Sequence, residues 1–478
     1  MYFLAIDIGA SSGRHILGSV INGKLELEEI YRFENVQVYK NGHDCWDIDV
    51  IQKGIISGLK ACCELGKIPT TIGIDTWGVD FLLLDERDDI IGDAVAYRDK
   101  RTEGMREAVE EHISTEELYK RTGIQYQPYN TIYQLMALKK EYPQQLERAK
   151  WLLMTPDYYN FFLTGNKKNE YTIASTSALV DAHSKYWDKE LIHSLGFPDT
   201  IFHDLSLPGT AVGELRLEIQ EQVGFNATVI LVPSHDTASA YLAVPAQNDD
   251  AVYLSSGTWS LLGVELDAPI VSEESYRSGF TNEGGAWYRY RFLQNIMGLW
   301  MIQSIRRELN GEAYVRGKHS QKNVDKKWGY PDLIEEAKKA EDFASVVDVN
   351  HERFLAPESM ISALREECLA TNQQTPETIA EIMQCVYNSL AICYKNAIEH
   401  LEKVTGKQYT SINIVGGGCQ DWYLNEKTMR ATGLPVFAGP VEGSAIGNII
   451  MQMINAEVFR DLREARTVVR NSFDVIEY

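Results

Sequence analysis

The chain has 478 residues, of which 44% are hydrophobic and 24% charged, and this length favours two domains over one. Its formal net charge of −22 disfavours nucleic acid and anionic membranes as partners, because phosphate binding needs positive potential. An acidic chain can still bind a nucleotide when backbone N–H groups and helix N-termini donate to the phosphates. Glycine-rich turns are where such N–H donors are expected.

The apolar run at the N-terminus stops at Asp7 and has no basic flank, and no stretch approaches the ~20 apolar residues of a spanning helix. The sequence therefore indicates neither a signal peptide nor a membrane span. The cysteines are odd in number, include the adjacent Cys62 and Cys63, and lack zinc spacing. This pattern favours reduced thiols in the cytoplasm.

The N-terminal region predicts a β-meander followed by a helix and a strand. Asn22-Gly23 is a strong two-residue hairpin signal. The predicted strands are 2–8, 14–20, 25–33 and 71–75, and the helix is predicted to start near Asp49.

The rest of the chain alternates predicted helices and buried strands. Residues 104–165 read as mainly helical, and the polar, Lys-rich stretch 310–350 as surface connections. A long helix is predicted over 376–403, with Thr375 as N-cap and Gly406 as the stop. The other predicted elements are a strand at 227–233, a short helix at 237–244, strands at 252–254, 259–264 and 411–415, and a helix from about Gln420.

A weak internal repeat links the two halves. SSGRHILG at 11–18 and SSGTWSLLG at 255–263 each read as a strand, a Ser-Ser-Gly turn and a second strand. Chance is an alternative explanation. The polar stretch 245–250 reads as a linker between two domains, 1–244 and 245–478.

The turn from Gly9 to Gly13 could present several N–H groups to one anion, because small residues let a phosphate approach the backbone. It is not a Walker loop. Asp7, at the end of the preceding strand, suits an acidic group that holds hydrated Mg²⁺, and Arg14 could lie against the transferring phosphate. The alternative is an ordinary tight hairpin with a surface arginine.

Two further turns of small residues, 255–258 and 416–418, also follow buried strands, and the second lacks the GxGxxG spacing of a dinucleotide site. Each alone fits a tight turn equally well. Together with the first turn, they suggest ATP bound in a cleft between two domains.

Asp236 follows a buried strand and precedes a short helix, so it could be a helix N-cap or a general base toward a hydroxyl. A helix N-terminus is expected to keep this carboxylate ionised. His235 could donate to a sugar oxygen or fill a polar gap. Trp77, beside Gly78, could stack on a sugar, although a buried core tryptophan is commoner.

A collinear set of segments resembles the FGGY carbohydrate kinases over most of the chain. WGVDF, HDTAS and NIMGLW are specific to one subgroup of that family. The segments are DIGASSGR at 7–14, GIDTWGVDF at 73–81, YRDKR at 97–101, PSHDTAS at 233–239, LSSGTWSLLG at 254–263, TNEGG at 281–285, NIMGLW at 295–300 and VGGGCQ at 415–420.

This resemblance implies an α/β fold of two ribonuclease-H-like domains, as in actin, Hsp70 and hexokinase, around an ATP-binding cleft. It implies that domain 1–244 binds the sugar and carries the phosphate turn and the base, and that domain 245–478 binds the nucleotide. Asp236 matches the family's catalytic base. The residues implied to bind ATP are Ala10, Ser11, Ser12, Gly13, Arg14, Thr258, Gln303 and Gly417, and those implied to bind the ketose are Gly78, His235, Asp236, Thr237 and Asn295.

The implied activity is phosphorylation of the 1-hydroxyl of L-rhamnulose by ATP with Mg²⁺, in L-rhamnose degradation. Another L-ketose such as L-fuculose is the near alternative, since epimers differ only in the orientation of hydroxyl groups. A non-catalytic, nucleotide-gated module is a distant alternative, because the same fold serves chaperones and filaments. Nothing in the sequence indicates an oligomeric state.

Overall fold

A computed structural model describes residues 1–315, 318–355 and 357–478 of the chain. The chain forms two compact units, and each of them is discontinuous in sequence. The first unit contains residues 1–245, 265–293 and 442–472. The second contains residues 246–264, 294–441 and 473–478. Segments far from the N-terminus therefore complete the first unit.

The strands, in chain order, are β1 Tyr2–Ile8, β2 Ser12–Ile21, β3 Lys24–Glu34, β4 Gln37–Lys40, β5 His43–Trp46, β6 Pro69–Thr76, β7 Phe81–Leu84, β8 Ile90–Ile91, β9 Trp151–Met154, β10 Asn169–Glu170, β11 Leu205–Ser206, β12 Ala211–Glu214, β13 Thr228–Ile230, β14 Ala251–Ser256, β15 Ser260–Leu266, β16 Thr281–Gly284, β17 Tyr290–Ile296, β18 Glu312–Val315, β19 Lys318–Gln321, β20 Ser411–Val415, β21 Val436–Ala438 and β22 Ile476–Glu477.

The α-helices, in chain order, are α1 Ile48–Glu64, α2 Met105–Glu110, α3 Thr115–Thr122, α4 Thr131–Glu141, α5 Pro143–Arg148, α6 Thr155–Thr164, α7 Tyr171–Ser175, α8 Lys189–Ser194, α9 Leu217–Val223, α10 Asp236–Ala243, α11 Glu273–Arg277, α12 Trp300–Leu309, α13 Tyr330–Lys338, α14 Met360–Ala370, α15 Ile379–Thr405, α16 Trp422–Thr432, α17 Gly443–Asn455 and α18 Leu462–Ser472.

A six-stranded sheet forms the centre of the first unit, in the order β12-β13-β6-β1-β2-β3. The strand β1 lies at its middle, antiparallel to β2 and parallel to β6. The predicted meander β1-β2-β3 is confirmed, and Asn22 and Gly23 both have positive φ, as the hairpin signal requires. The ends of β1 and β6 therefore open at the same edge of the sheet.

Apolar side chains on both faces of this sheet make the core of the first unit. The helix α1 places Ile51, Ile55 and Leu59 at helical spacing, and all three are fully buried against the sheet. At ~25 cal/mol per Å² of buried apolar surface, such contacts supply the main favourable term in folding. A second cluster surrounds β7 and the helices α2 to α4.

The second unit repeats the connectivity of the first. Its strands β15, β14, β20, β21 and β22 are neighbours in this order. The strand β14 is antiparallel to β15 and parallel to β20, just as β1 is antiparallel to β2 and parallel to β6. The Ser-Ser-Gly sequences lie at the same corner of both units. The predicted mixed α/β fold with two domains is confirmed.

Two predicted features need correction. The long helix begins at Ile379 rather than near 376, because Thr378 caps it and forms a capping box with Glu381. The stretch 310–350 contains the hairpin β18-β19 and the helix α13 rather than connections alone. Among the described residues, no helix is long and apolar enough to cross a membrane.

Candidate active site

The turn after β1 presents backbone N–H groups. The Gly9 N–H donates to the Ser12 carbonyl at 2.9 Å and closes the turn. Asn35 supports it by donating its side-chain amide to the Gly9 carbonyl at 2.9 Å and its backbone N–H to the Ser11 carbonyl at 3.0 Å. Ala10 and Ser11 are exposed, and their N–H groups donate to no acceptor within the described residues. An anion could accept both.

Packing against Phe33 explains why residue 13 is a glycine. It lies opposite Phe33 in the β2-β3 pairing, and a Cβ at Gly13 would come within 2.1 Å of the Phe33 ring. A Cβ at Gly54, on α1, would also come within 2.5 Å of that ring. The ring fills the space beside both glycines, so a larger residue at Gly13 would displace the strand that carries the turn.

Arg14 is held by two carboxylates. It lies directly opposite Asp7 in the β1-β2 pairing, and its guanidinium contacts both Asp7 and Glu442. Burial alone would lower the pKa of Arg14, but the two carboxylates outweigh burial and hold its pKa above the ordinary range. The guanidinium is therefore a fixed positive charge beside the turn, with 23% of its side chain exposed. This arrangement suits a charge that stabilises a transferring phosphate.

Asp75 is a fully buried carboxyl group on β6, so it lies on the side of Asp7 opposite Arg14. It is the register partner of Asp7 in the parallel β1-β6 pair. Asn448 donates to one Asp75 oxygen at 2.6 Å, whereas the other oxygen is buried without a partner. Burial, followed by the negative charge of Asp7, raises the pKa of Asp75 well above its usual range. The sheet edge therefore concentrates carboxyl groups around Asp7.

Asp236 is the first residue of α10, and His235 occupies the N-cap position. The backbone N–H of Thr237 donates to Asp236 Oδ1 at 2.6 Å, and the Thr237 hydroxyl donates to the same atom at 3.1 Å. One third of the Asp236 side chain, 33%, stays exposed. Restricted hydration raises the pKa of Asp236, and Asp7 raises it further, although His235 and Thr237 act in the opposite direction. The helix N-terminus alone favours the ionised carboxylate, as the sequence predicts, and the surroundings oppose this effect.

His235 lies between Gly78 and Arg291, which are far apart in the sequence. Its Nε2 lies 3.4 Å from Asp236 Oδ1, and a Cβ at Gly78 would lie 3.4 Å from the same nitrogen. On the other side, the buried Arg291 guanidinium donates to His235 Nδ1 at 3.0 Å. Because a guanidinium has no lone pair to accept, Nδ1 accepts and Nε2 carries the hydrogen in the neutral ring. Gly78, His235 and Asp236 thus lie together, with an N–H donor among them.

Arg291 is itself paired with Glu283, its register partner in the β16-β17 hairpin, at 2.9 Å. Burial would raise the pKa of Glu283, but the positive charge of Arg291 outweighs burial and holds that pKa at about 2. His235 Nδ1 also lies 3.2 Å from the Glu283 carboxylate. Glu283 Oε2 accepts no hydrogen bond from the ring, so the hydrogen bond from Arg291 defines the tautomer.

Trp77 is a buried core residue, which is the commoner of the two alternatives that the sequence left open. It is 6% exposed and packs against Trp46, with ring centroids 4.2 Å apart. The indole N–H groups of Trp77 and Trp46 donate to one oxygen of the buried Asp80 at 2.8 and 2.6 Å. The backbone N–H of Tyr97 and the side-chain amide of Gln134 complete its set of donors. Asp80 thereby fixes the chain next to Gly78.

We expect replacement of Asp80 by Ala to destabilise the first unit by on the order of 3 kcal/mol, because several buried donors lose their acceptor at once. Urea unfolding of the two proteins measures the difference. Asp89→Ala is a suitable control, since Asp89 is exposed on a nearby turn. Equal unfolding midpoints for the two variants would contradict this account of Asp80.

In the second unit, three residues predicted to bind ATP lie on two turns and a helix. Thr258 follows β14, and its hydroxyl donates to Gln303 of α12 at 3.3 Å. Gly417 starts a short 3₁₀ turn after β20, and a Cβ there would meet no atom within 4 Å. Gly418 is different, since a Cβ there would lie 2.0 Å from the Ser256 hydroxyl. Asn295 lies near the end of β17, also in this unit.

The donor set around Asp7 is compatible with Mg²⁺. Within the described residues, no three His, Cys, Asp or Glu side chains are grouped as a metal site. Mg²⁺ in nucleotide enzymes, however, needs only one or two carboxylates, with water and phosphate oxygens as its other ligands. Asp7 supplies a carboxylate of that kind at the edge where β1 ends.

Several residues of this site carried no recognisable signal in the sequence. Glu442 immediately precedes α17 and Asn448 lies on it, and both come more than 360 positions after the strands whose residues they contact. Asp75, Glu283 and Arg291 were not predicted as site residues, although the segments GIDTWGVDF and TNEGG include the first two of them. Only burial and charge pairing in the folded chain identify them.

Family models account for nearly all of this structure. The model of the N-terminal domain of the FGGY family of carbohydrate kinases matches residues 2–243, and the model of its C-terminal domain matches residues 252–456. The chain belongs to the FGGY family of carbohydrate kinases and is an ATP-dependent sugar kinase.

Within the family, the chain is similar to proteins named rhamnulokinase. It is 48% identical to that of Oceanobacillus iheyensis over 99% of this chain and 97% of the relative. It is likewise 48% identical to that of Halalkalibacterium halodurans, over 100% and 98%, and 41% identical to that of Bacillus subtilis, over 99% and 94%. The resemblance read from the sequence motifs is confirmed.

Solved structures share the fold at low sequence identity. The ligand-bound xylulose kinase of Lactobacillus acidophilus superposes with a TM-score of 0.79 at 16% identity, covering 99% of this chain and 93% of that chain. The glycerol kinase of Plasmodium falciparum with ADP superposes with a TM-score of 0.76 at 14% identity, over 99% and 93%. At these identities the likeness supports the fold alone.

Proposed function

We propose that this sugar kinase transfers the γ-phosphate of ATP to the 1-hydroxyl of L-rhamnulose and thereby serves the degradation of L-rhamnose. One observation carries the proposal. Asp236, His235 and Gly78 lie in the same unit as Asp7, Arg14 and the turn whose backbone N–H groups could bind an anion. Such a grouping suits a base beside a phosphate-binding turn. The relatives named rhamnulokinase support the choice of sugar.

In this proposal Asp236 orients the sugar hydroxyl and accepts its proton as the phosphate arrives. Phosphoryl transfer has a loose transition state in which positioning and charge stabilisation dominate, so a strong base is not required. The Nε2–H of His235 donates to a sugar oxygen. The other residues proposed to contact the ketose are Gly78, Thr237 and Asn295.

The nucleotide is proposed to lie against two sets of residues. Ala10, Ser11, Ser12, Gly13 and Arg14 contact its phosphates in the first unit, and Thr258, Gln303 and Gly417 contact it in the second. Asp7 would hold Mg²⁺, which supplies positive charge to the phosphates when bound. Residues 1–244 carry the phosphate turn, the base and the sugar site apart from Asn295, and residues 245–478 carry the nucleotide site.

We also propose that the protein acts in the cytoplasm on small molecules, without nucleic acid or membrane as partners. None of the seven cysteines forms a disulfide, which suits a reducing compartment. The acidic net charge of −22 supports the absence of polyanionic partners.

We expect kcat/KM to be highest for L-rhamnulose when L-rhamnulose, L-fuculose and L-xylulose are compared. Loss of one well-placed hydroxyl contact leaves a buried polar group unpaired, so discrimination of ~10²-fold or more is reasonable. Phosphorus NMR of the product identifies the phosphorylated oxygen. A clear preference for L-fuculose, or a product phosphorylated elsewhere, would overturn the proposed substrate.

A further inference from the structure

A buried segment, residues 170–177, lies against three of the segments that form the proposed sugar site. It comprises the end of β10, the short helix α7 and the two residues after it, and its sequence is EYTIASTS. Every one of its residues is buried. The segment carries none of the residues assigned to the site, yet its side chains accept hydrogen bonds from all three neighbours.

The first neighbour carries His235 and Asp236. The Glu170 carboxylate accepts the backbone N–H of Ser234 at 3.2 Å. The Thr172 hydroxyl, which donates to the same carboxylate oxygen at 2.6 Å, lies 3.5 Å from the backbone nitrogen of His235. The backbone immediately before Asp236 is therefore held by Glu170 and Thr172 on one side and by Thr76 of β6 on the other, whose N–H donates to the Ser234 carbonyl at 2.9 Å.

The other two neighbours carry Gly78 and Glu283. The Thr176 hydroxyl accepts the backbone N–H of Val79 at 3.0 Å, and a Cβ at Gly78 would lie 3.3 Å from Thr176. The Ser175 hydroxyl accepts the backbone N–H of Gly284 at 2.7 Å. One short segment thus accepts hydrogen bonds from three separate stretches of chain that meet around His235.

Glu170 is the residue on which this arrangement depends. Besides Ser234 and the Thr172 hydroxyl, it accepts the backbone N–H groups of Thr172 at 2.7 Å and Ile173 at 3.0 Å. All four contacts are donors, so only a carboxylate or another pure acceptor satisfies them. Without Glu170, the start of α7 and the Ser234 backbone would both lose their acceptor.

No cationic side chain pairs with Glu170 among the described residues. Its titratable neighbours are Asp157 of α6, whose carboxylate accepts the Glu170 N–H at 3.2 Å, and Tyr171 of α7. Burial raises the pKa of Glu170 to about 7, although the donors from Thr172, Ile173 and Ser234 act against it. A buried carboxylate without a counter-cation costs free energy, and the four donors, two of them at the N-cap of α7, offset part of that cost.

We propose that Glu170 is a positioning residue of the kinase, which sets His235 and Asp236 in place by holding the Ser234 backbone and the start of α7. The inference rests on the proposed function, because it takes His235 and Asp236 as the sugar contacts. Glu170 itself touches no substrate. Its effect is confined to the ketose, since the residues proposed for ATP lie on other elements.

The variant Glu170→Gln tests this role. The amide has the same shape, but its NH₂ group would face donors, so at least one of the four contacts is lost. Since a displacement of about 1 Å can cost on the order of 10² in rate, we expect kcat/KM for the ketose to fall by 10- to 100-fold. We expect KM for ATP to remain near the wild-type value. Steady-state kinetics with each substrate varied, and calorimetric titration of the ketose, measure this split.

Asp157→Asn is the matched control. Asp157 is as deeply buried as Glu170 and shares its hydrogen-bond chain, but it does not contact Ser234. We expect this variant to unfold at lower temperature without a selective loss of ketose affinity. Wild-type kinetics of Glu170→Gln, or proportionate losses for both substrates in both variants, would overturn the proposal.

Thr172→Val decides the question if Glu170→Gln does not fold. It keeps the side-chain shape and removes the hydroxyl between Glu170 and His235. The same selective loss for the ketose, smaller in size, supports the proposal, and unchanged ketose kinetics overturn it. All variants are assayed with the ketose that the wild-type protein prefers. Failure of the proposed substrate is therefore seen in the wild type, separately from failure of the positioning role.

Discussion

Replacing Asp236 by Asn is expected to lower kcat for the ketose by about 10²-fold or more, the usual contribution of a positioned base. The amide can still accept the Thr237 N–H, so the start of α10 is preserved. It cannot accept the hydroxyl proton. Initial-rate measurements, with calorimetry of ketose and ATP binding to the variant, separate loss of chemistry from loss of affinity.

Asp249→Asn provides a control, because Asp249 is exposed. The pH profile offers a second readout. Since burial and Asp7 raise the pKa of Asp236, and the base must be ionised, kcat/KM is expected to decline as pH falls through a value above ~3.9, the ordinary pKa of an aspartate. Undiminished phosphorylation by Asp236→Asn would remove Asp236 as the base.

Replacing Arg14 by Gln is expected to reduce kcat by about 10²- to 10³-fold, with little change in KM for the ketose. A charge that stabilises the transferring phosphate acts mainly in the transition state, and the substitution removes it. Rates at saturating ketose and varied ATP measure the effect.

Arg32→Gln is the matched control for Arg14. Arg32 is the register partner of Arg14 on β3, but its side chain is 50% exposed and pairs with Glu29 on the surface. Near wild-type kinetics are expected for it, because exposed ion pairs contribute little. If both arginine variants lose activity equally, the role of Arg14 at the phosphate is wrong.

Local signals predicted the strands around the site well. The meander β1-β2-β3 and the helix α10 were placed within a few residues, because buried strands and an Asn-Gly hairpin leave clear patterns. The N-cap of α15 was misplaced by three residues, since both Thr375-Pro376 and Thr378 with Glu381 are capable start signals. The capping box prevailed because it satisfies two backbone N–H groups instead of one.

Long-range electrostatics could not be predicted from the sequence. The helix N-terminus at Asp236 favours the ionised carboxylate, yet Asp7, more than 220 positions away in the chain, and restricted hydration raise its pKa. The turn predicted Arg14 as a phosphate contact. Nothing in the local sequence predicted Glu442, the second carboxylate that pairs with Arg14. Such contacts depend on which strands become neighbours, and the sequence does not state that order.

The contribution of α17 to the first unit constrains how the enzyme is made. A ribosome releases the turn that carries Arg14 long before it synthesises Glu442 and Asn448. During that interval the sheet must persist with Asp75 lacking its amide partner and Arg14 lacking one of its two carboxylates. A nascent chain that ends before Glu442 therefore lacks part of the charge pairing and hydrogen bonding around the proposed phosphate site.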